Sequence, residues 1–284
     1  MKTNRFFKNL SLGSIWIWLI VFALLPNLMV LAASFMQRGS TEFVVFAVTL
    51  QNYWRLLDPL YLGVLWESFY LAALTTLLCL LLGYPFAHLL TRMPKRWRPL
   101  LLLLVIIPFW TSSLVRTYAM VIILKTKGVL NQLLLGLGII TEPLELLYTD
   151  IAVLSGLVYA LLPFMVLPLY AALEKLDNRL VEAARDLGAG KIQVFQKIIL
   201  PLTLPGIIAG IMLVFLPALG MFFIPDMLGG AKSLLVGNLI RDQFLTARDW
   251  PFGSATSVML TLIMGLLLWT YYLSLKRTAH RGPG

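Results

Sequence analysis

The sequence predicts an all-α integral membrane protein with six membrane-spanning helices. Of its 284 residues, 60% are hydrophobic and only 13% are charged, whereas a soluble globular domain carries about 25% charged residues. Six apolar windows are long enough to cross a bilayer, which takes about 20 residues as a helix. They are residues 15–33, 68–90, 100–124, 151–173, 202–224 and 255–275.

The basic residues predict the orientation of these spans, because Lys and Arg accumulate in loops that stay cytoplasmic. With the amino terminus inside, the cytoplasmic segments hold 15 of the 23 Lys and Arg residues. We therefore expect both termini to be cytoplasmic and residues 174–201 to form a cytoplasmic loop between spans 4 and 5. The net charge of +10 is dispersed over four short loops, a pattern typical of membrane topology and not of nucleic-acid binding. Nothing in the hydropathy separates a soluble module, so we expect one transmembrane domain over residues 1–284.

The loop at 174–201 predicts two short helices joined by a tight turn. Four apolar residues fall at i, i+3, i+4 and i+7 and form one stripe on the first helix. They are Leu180, Ala183, Ala184 and Leu187. Gly188 is expected to end this helix in a left-handed conformation. The second helix is expected to run from Lys191 to Leu200 and to stop at Pro201.

This loop resembles the coupling loop of permease subunits in binding-protein-dependent ABC importers. The matching residues are Glu182-Ala183-Ala184, Gly188-Ala189, Phe195, Ile198 and Leu200-Pro201. The resemblance implies the six-helix fold of the type I importer permeases, in which the helix between spans 4 and 5 docks into a cleft on an ATP-hydrolysing subunit. It also implies that Glu182 meets a basic residue there. The expected coupling residues are Glu182, Ala183, Ala184, Leu187, Gly188 and Ala189.

The same resemblance implies an assembly in a bacterial inner membrane. Its expected members are a second, homologous permease, a pair of ATP-binding subunits and an extracytoplasmic binding protein, all in contact with membrane lipid. The chain itself holds no G-x-x-x-x-G-K-[ST] phosphate loop, so we expect it to bind no cofactor and the partner to hydrolyse ATP. No nucleic-acid partner is expected.

Further segments resemble the spermidine/putrescine (PotB-type) permeases within this family. They are residues 108–119, 128–131, 142–143 and 248–253. A polyamine needs aromatic faces for its ammonium groups and a carboxylate for orientation. The candidate pathway residues are Trp110, Tyr118, Phe222, Phe223, Asp226 and Glu67. Aromatic residues near the membrane boundaries also serve as interfacial anchors, which is the competing interpretation of the four aromatic candidates.

Arg116 is the one full charge within the six windows. Because a guanidinium on the pathway would repel a polyamine, we expect Arg116 to pair with a carboxylate of a neighbouring helix or outer segment. Cys79 is the single cysteine, and His88 and His280 are the only histidines, so neither a disulfide within the chain nor a cysteine or paired-histidine metal site is expected.

Two alternatives remain open from the sequence. The first keeps the architecture and changes the cargo to another small solute, such as an iron complex, an oxyanion or an amino-acid derivative. The second is an intramembrane enzyme or a membrane scaffold. An enzyme would need a catalytic pair at membrane depth, and the sequence places none there. A scaffold predicts that no ATPase partner exists.

Overall fold

A computed structural model describes residues 2–39, 43–230 and 234–279, so that His280 lies outside the described residues. Within these ranges the chain is helical, and the only β pairing is an isolated bridge between Gln37 and Val45. The α-helices are α1 (Lys2–Leu19), α2 (Leu25–Ser34), α3 (Gln51–Leu56), α4 (Pro59–Arg92), α5 (Arg98–Ile106), α6 (Ser113–Leu124), α7 (Val129–Gly136), α8 (Asp150–Glu174), α9 (Asn178–Asp186), α10 (Lys191–Val194), α11 (Leu200–Gly220), α12 (Phe223–Gly229), α13 (Val236–Leu245) and α14 (Trp250–Ala279).

Six helical stretches of the described chain are long and apolar enough to cross a membrane, which confirms the predicted number. They are Phe7–Ser34, Pro59–Arg92, Ser113–Gly136, Asp150–Glu174, Lys191–Gly220 and Trp250–Leu273. The first joins α1 and α2 through a π-helical turn at Ile20–Leu24. The third joins α6 and α7 across a short turn.

The third predicted window, residues 100–124, is not one helix. The chain passes from α5 into a 3₁₀ turn at Ile107–Trp110 and then extends at Thr111 (φ −90°, ψ 148°) before α6 begins. Pro108 lies inside the 3₁₀ turn, where it donates no backbone hydrogen bond and so cannot continue the α-helical ladder of α5. The Thr111 hydroxyl closes the turn by donating to the Pro108 carbonyl over 2.7 Å. Trp110 and Tyr118 therefore lie on different helical segments.

The helix expected to stop at Pro201 continues to Gly220, which corrects the predicted end. A π-helical turn at Phe195–Ile199 joins α10 to α11, and the Leu200 N–H donates to the Phe195 carbonyl five residues back. After this turn a new series of α-helical hydrogen bonds begins, so that Pro201 falls in the first turn of α11. A proline is tolerated there because the backbone N–H that it lacks would have no partner within the helix. The predicted window 202–224 likewise ends early, at Gly220.

The described chain falls into two compact units, one made of its described residues up to 63 together with 239–266, and one made of those from 64 to 238 together with 267–279. In the first, Leu56, Phe252 and Ala255 form a buried cluster. The Asn52 side chain joins α3 to the end of α2 by donating to the carbonyls of Ser34 (3.0 Å) and Met36 (2.8 Å). The span Phe7–Ser34, in contrast, buries none of its most apolar window within this chain.

In the second unit α8 is the central helix, and α11 packs along it. Their approach requires glycine: a Cβ at Gly206 would lie 2.8 Å from the Pro168 carbonyl oxygen and would also meet the Ala172 side chain. Small residues allow this close packing where apolar lipid supplies little driving force between helices. The short helix α12 packs against both α6 and α8. It is fastened by the Tyr148 N–H, which donates to the Leu228 carbonyl over 2.8 Å.

Candidate functional site

The turn after α9 has the geometry predicted for Gly188. Asp177 caps the helix by accepting a hydrogen bond from the Arg179 N–H over 2.9 Å, and Gly188 adopts a φ of +82°. The Ala189 N–H then donates to the Ala184 carbonyl over 3.0 Å, a bond typical of a glycine-terminated helix. The two short segments are thus held as a compact elbow, which we call the α9–α10 elbow (residues 177–194).

The apolar stripe of α9 is uncovered within the described chain. Leu180 is 49% exposed and Leu187 is 89% exposed, and Ile192 on α10 is 72% exposed. Ala183 is also exposed, while Ala184 is half-buried. Water-exposed leucines on a mostly polar helix are costly, since burying one fully is worth about 1.5–3 kcal/mol. The stripe therefore has the character of a contact surface.

The opposite face of α9 lines a polar cavity of about 550 Å³. Glu182 and Arg185 of α9 face this cavity together with Arg92, Arg98 and Glu174 from the ends of α4, α5 and α8. Glu174 is already paired, because it accepts from the Tyr170 hydroxyl over 2.7 Å and lies 3.7 Å from the Arg98 guanidinium. Glu182 thus has basic neighbours in its own chain, which the sequence pattern did not indicate.

A second cavity, of about 220 Å³, brings Glu67 together with a carboxylate that sequence reasoning missed. Its lining includes Glu67 and Tyr70 on α4 and Asp150 at the start of α8, with leucines behind them. The available signal was the acid at the start of a spanning helix, directly after the Thr149 cap. That signal is weak, because an acid at this position also stabilises the positive end of a helix.

The remaining pathway candidates are distributed over three segments. Trp110 ends the 3₁₀ turn and is 76% exposed, while Tyr118 lies on α6 and is 62% exposed. Phe222 precedes α12, and its ring meets that of Phe223 edge-on at 6.1 Å. Asp226 is exposed on α12. Because α12 packs against α6, the structure brings the Tyr118 helix and the Asp226 helix together.

Arg116 does not have the expected acidic partner within the described part of the chain. Its guanidinium carbon lies 5.0 Å from the centre of the Phe109 ring and 5.8 Å from that of Tyr159. Its Nε is buried without a hydrogen-bond partner among the described residues. Cation–π attraction has taken the place of an ion pair, which residue spacing could not reveal because Tyr159 lies on α8.

Comparison with models of protein families shows the family of this chain. Residues 79–280 match the model of the binding-protein-dependent transport system inner membrane component, which covers well over half of the chain. The chain belongs to this family. The permease is therefore a multi-pass inner-membrane transport component that works with a binding protein, and it is not itself an enzyme.

Two curated relatives match this permease over nearly its whole length. Both are named spermidine/putrescine transport system permease protein PotB. The one from Haemophilus influenzae is 55% identical over 95% of this chain and 94% of its own. The one from Escherichia coli K12 is 58% identical over 90% of this chain and 93% of its own.

A solved structure with the same fold is a bacterial alginate ABC transporter in complex with an alginate pentasaccharide-bound periplasmic protein. Its matched chain superposes with a TM-score of 0.79 over 98% of the permease and 96% of its own length, at 16% identity. At that identity the likeness supports the type I importer fold and carries no information on cargo.

Proposed function

We propose that this permease imports spermidine or putrescine, delivered by an extracytoplasmic binding protein and driven by ATP hydrolysis in a partner subunit. The observation that carries the proposal is the identity of 55–58% over at least 90% of the chain with proteins named for that transport. Because the alignment covers at least 90% of the chain, it includes the segments proposed here to hold cargo and to contact partners. We propose that the whole chain acts as one transmembrane domain with both termini cytoplasmic.

The exposed stripe on α9 supports a partner that covers it. Full burial of Leu180 and Leu187 contributes about 1.5–3 kcal/mol for each leucine, whereas an exposed ion pair from Glu182 contributes about 0–1 kcal/mol. Apolar docking therefore carries most of the affinity, and Glu182 sets the register. We propose an ATP-binding subunit as this partner, because the residues of the loop resemble the coupling loop of importer permeases.

The elbow is joined to the helix bundle by a continuous helical path. α10 continues through the π-helical turn into α11 without a break, and α11 packs along α8. Movement of the α9–α10 elbow is thus carried directly into the bundle. In the assembly, closure of the paired ATPases brings this elbow towards that of a second, homologous permease and turns the cargo cavity from inward-facing to outward-facing.

The cargo side supplies groups suited to a polyamine. Glu67 and Asp150 offer two carboxylates to one cavity with the Tyr70 ring beside them. Carboxylates and aromatic faces both attract ammonium groups. We assign Trp110, Tyr118, Phe222, Phe223 and Asp226 to the same pathway.

Uptake by the complete assembly tests this proposal. The permease is reconstituted in proteoliposomes with its second permease, ATPase and binding protein, and uptake of radiolabelled spermidine is followed with and without internal ATP. ATP-dependent uptake that putrescine inhibits and sulfate, ferric citrate and amino acids do not is the expected result. ATP-dependent uptake of one of those other solutes, with no spermidine uptake, would assign the alternative cargo. Absence of an ATPase that co-purifies with the permease would favour the scaffold interpretation.

A further inference from the structure

The environment of Arg116 is that of a cation site. The Phe109 ring, 5.0 Å from the guanidinium carbon, comes from the 3₁₀ turn before α6, and the Tyr159 ring, 5.8 Å away, comes from α8. Phe109 is itself held edge-on by the Phe164 ring at 5.2 Å and 89°. The Phe109 ring is thus positioned by packing that does not depend on Arg116. We call the two rings around Arg116 the aromatic cradle (Phe109 and Tyr159).

Arg116 has no evident structural reason to occupy this position. It lies in the first turn of α6, where the positive end of the helix dipole disfavours a cation. It also lies in a predicted spanning window, where an arginine normally faces a carboxylate or backbone carbonyls. In the described chain its Nε has neither. The cation is therefore held mainly by the two ring faces.

The cradle is open to its surroundings. Tyr159 is 46% exposed, and Trp110, directly after Phe109, is 76% exposed. The chain is extended at Thr111 and non-helical at Ser112, between Phe109 and α6, so that Phe109 and Arg116 are not held by one continuous helix. An ammonium group reaching these rings would compete with the guanidinium for the same faces.

We propose that the aromatic cradle is an ammonium subsite on the cargo pathway and that Arg116 is its tethered occupant, displaced when a polyamine enters. This inference rests on the proposed function. When the cargo leaves, the guanidinium returns to the rings, so the polyamine is not trapped. A cation in a pathway also opposes the passage of small inorganic cations.

Equilibrium binding to the assembled transporter tests this role. Radiolabelled spermidine is titrated, without binding protein, onto the permease–ATPase complex in nanodiscs. R116Q and R116M, which empty the cradle of its cation, are expected to bind spermidine about three- to tenfold more tightly, the equivalent of one cation–π contact. R116K, which keeps a cation, should bind as the unmodified complex does.

Two controls make the measurement specific. K127Q removes a positive charge from an exposed position and should leave spermidine affinity unchanged. Adding F109L to R116Q removes one wall of the cradle and should abolish the gain in affinity. The change in the free energy of spermidine binding for the double variant is compared with the sum of the changes for R116Q and F109L alone. The difference isolates the contribution of the ring.

The inference is overturned if R116Q and R116M bind spermidine no more tightly than the unmodified complex. It is also overturned if both variants fail to assemble with the ATPase, since Arg116 would then have a structural role. Failure of the proposed function gives a different result, because the unmodified assembly with its binding protein would then take up no spermidine.

Discussion

Arg55 donates a hydrogen bond to the carboxylate of Asp249 over 2.9 Å, although the two residues lie 194 positions apart. The Asp249 side chain is 2% exposed, and its second oxygen accepts from the Phe252 N–H at the start of α14 over 3.2 Å. The Arg55 guanidinium also lies 4.1 Å from the centre of the Phe252 ring. Burial alone would lower the pKa of Arg55, but the hydrogen bonds and charge interactions with Asp249 and Tyr61 together outweigh it and raise the pKa above its ordinary value.

Replacing Arg55 should therefore destabilise the protein. R55M leaves the Asp249 carboxylate buried with Arg38, 3.9 Å away, as its nearest cation. The cost is about 1–3 kcal/mol, less than for a fully buried pair because the Arg55 side chain is 40% exposed. The measurement is the apparent melting temperature in detergent. R38M is the control and should cost less, since the Arg38 side chain is 55% exposed; equal losses would contradict the ranking.

Replacing Gly188 should weaken coupling because of its backbone conformation. At a φ of +82°, alanine costs about 1–2 kcal/mol, and proline cannot adopt the conformation at all. G188A should lower both spermidine uptake and transport-coupled ATP hydrolysis, and G188P should lower them further. Gly190 is the control: its φ is −68°, and nothing lies within 4 Å of an added Cβ. G190A that impaired transport as much as G188A would contradict the backbone argument.

The two faces of α9 should contribute unequally to ATPase docking. A bulky residue at the half-buried Ala184, as in A184F, should impair uptake and stimulated ATP hydrolysis more than E182Q does. Apolar contact carries the affinity, whereas Glu182 contributes about 0–1 kcal/mol. Pull-down of the ATPase by each variant measures docking directly. A loss for E182Q equal to or larger than that for A184F would assign the main role to the charge.

Close packing of α11 on α8 should not tolerate a side chain at Gly206. A Cβ there would lie 2.8 Å from the backbone oxygen of Pro168, which cannot move without shifting α8. G206A should lower the melting temperature by several degrees, equivalent to about 1–3 kcal/mol of overpacking. The control is Gly265 on α14, where nothing lies within 4 Å of an added Cβ. Unchanged stability of G206A would show that the helices can separate at little cost.

The cavity shared by Glu67 and Asp150 should contribute to cargo affinity. E67Q and D150N each remove one carboxylate from its lining and should weaken spermidine binding to the nanodisc complex about three- to tenfold, the effect of one partly solvated charge. E142Q, at an exposed acid outside this cavity, is the matched control. Equal spermidine affinities for E67Q, D150N and E142Q would contradict a specific role for this cavity, because the carboxylates would then act only through the net charge of the protein or not at all.

Several local features of this fold could be predicted from residue order. The Gly188 turn was predicted because a helix terminus has a short-range backbone requirement that glycine satisfies. The number of spans was predicted because bilayer thickness sets the helix length. The break at Thr111 and the continuation through Pro201 were not predicted. Both depend on whether a proline lies inside a helix or in its first turn. Pro201 lies in the first turn of α11, which begins directly after the π-helical turn.

The sequence by itself determined the membrane class, the six spans and the α9–α10 elbow, because length, composition and helical spacing act between residues close together in the chain. Only the tertiary structure decided that Asp150 shares a cavity with Glu67 and that Arg116 lies over Phe109 and Tyr159. Those contacts depend on how one helix is rotated against the next. The rotation is set by close approaches such as that at Gly206, which leave no local signal of which side chains they bring together.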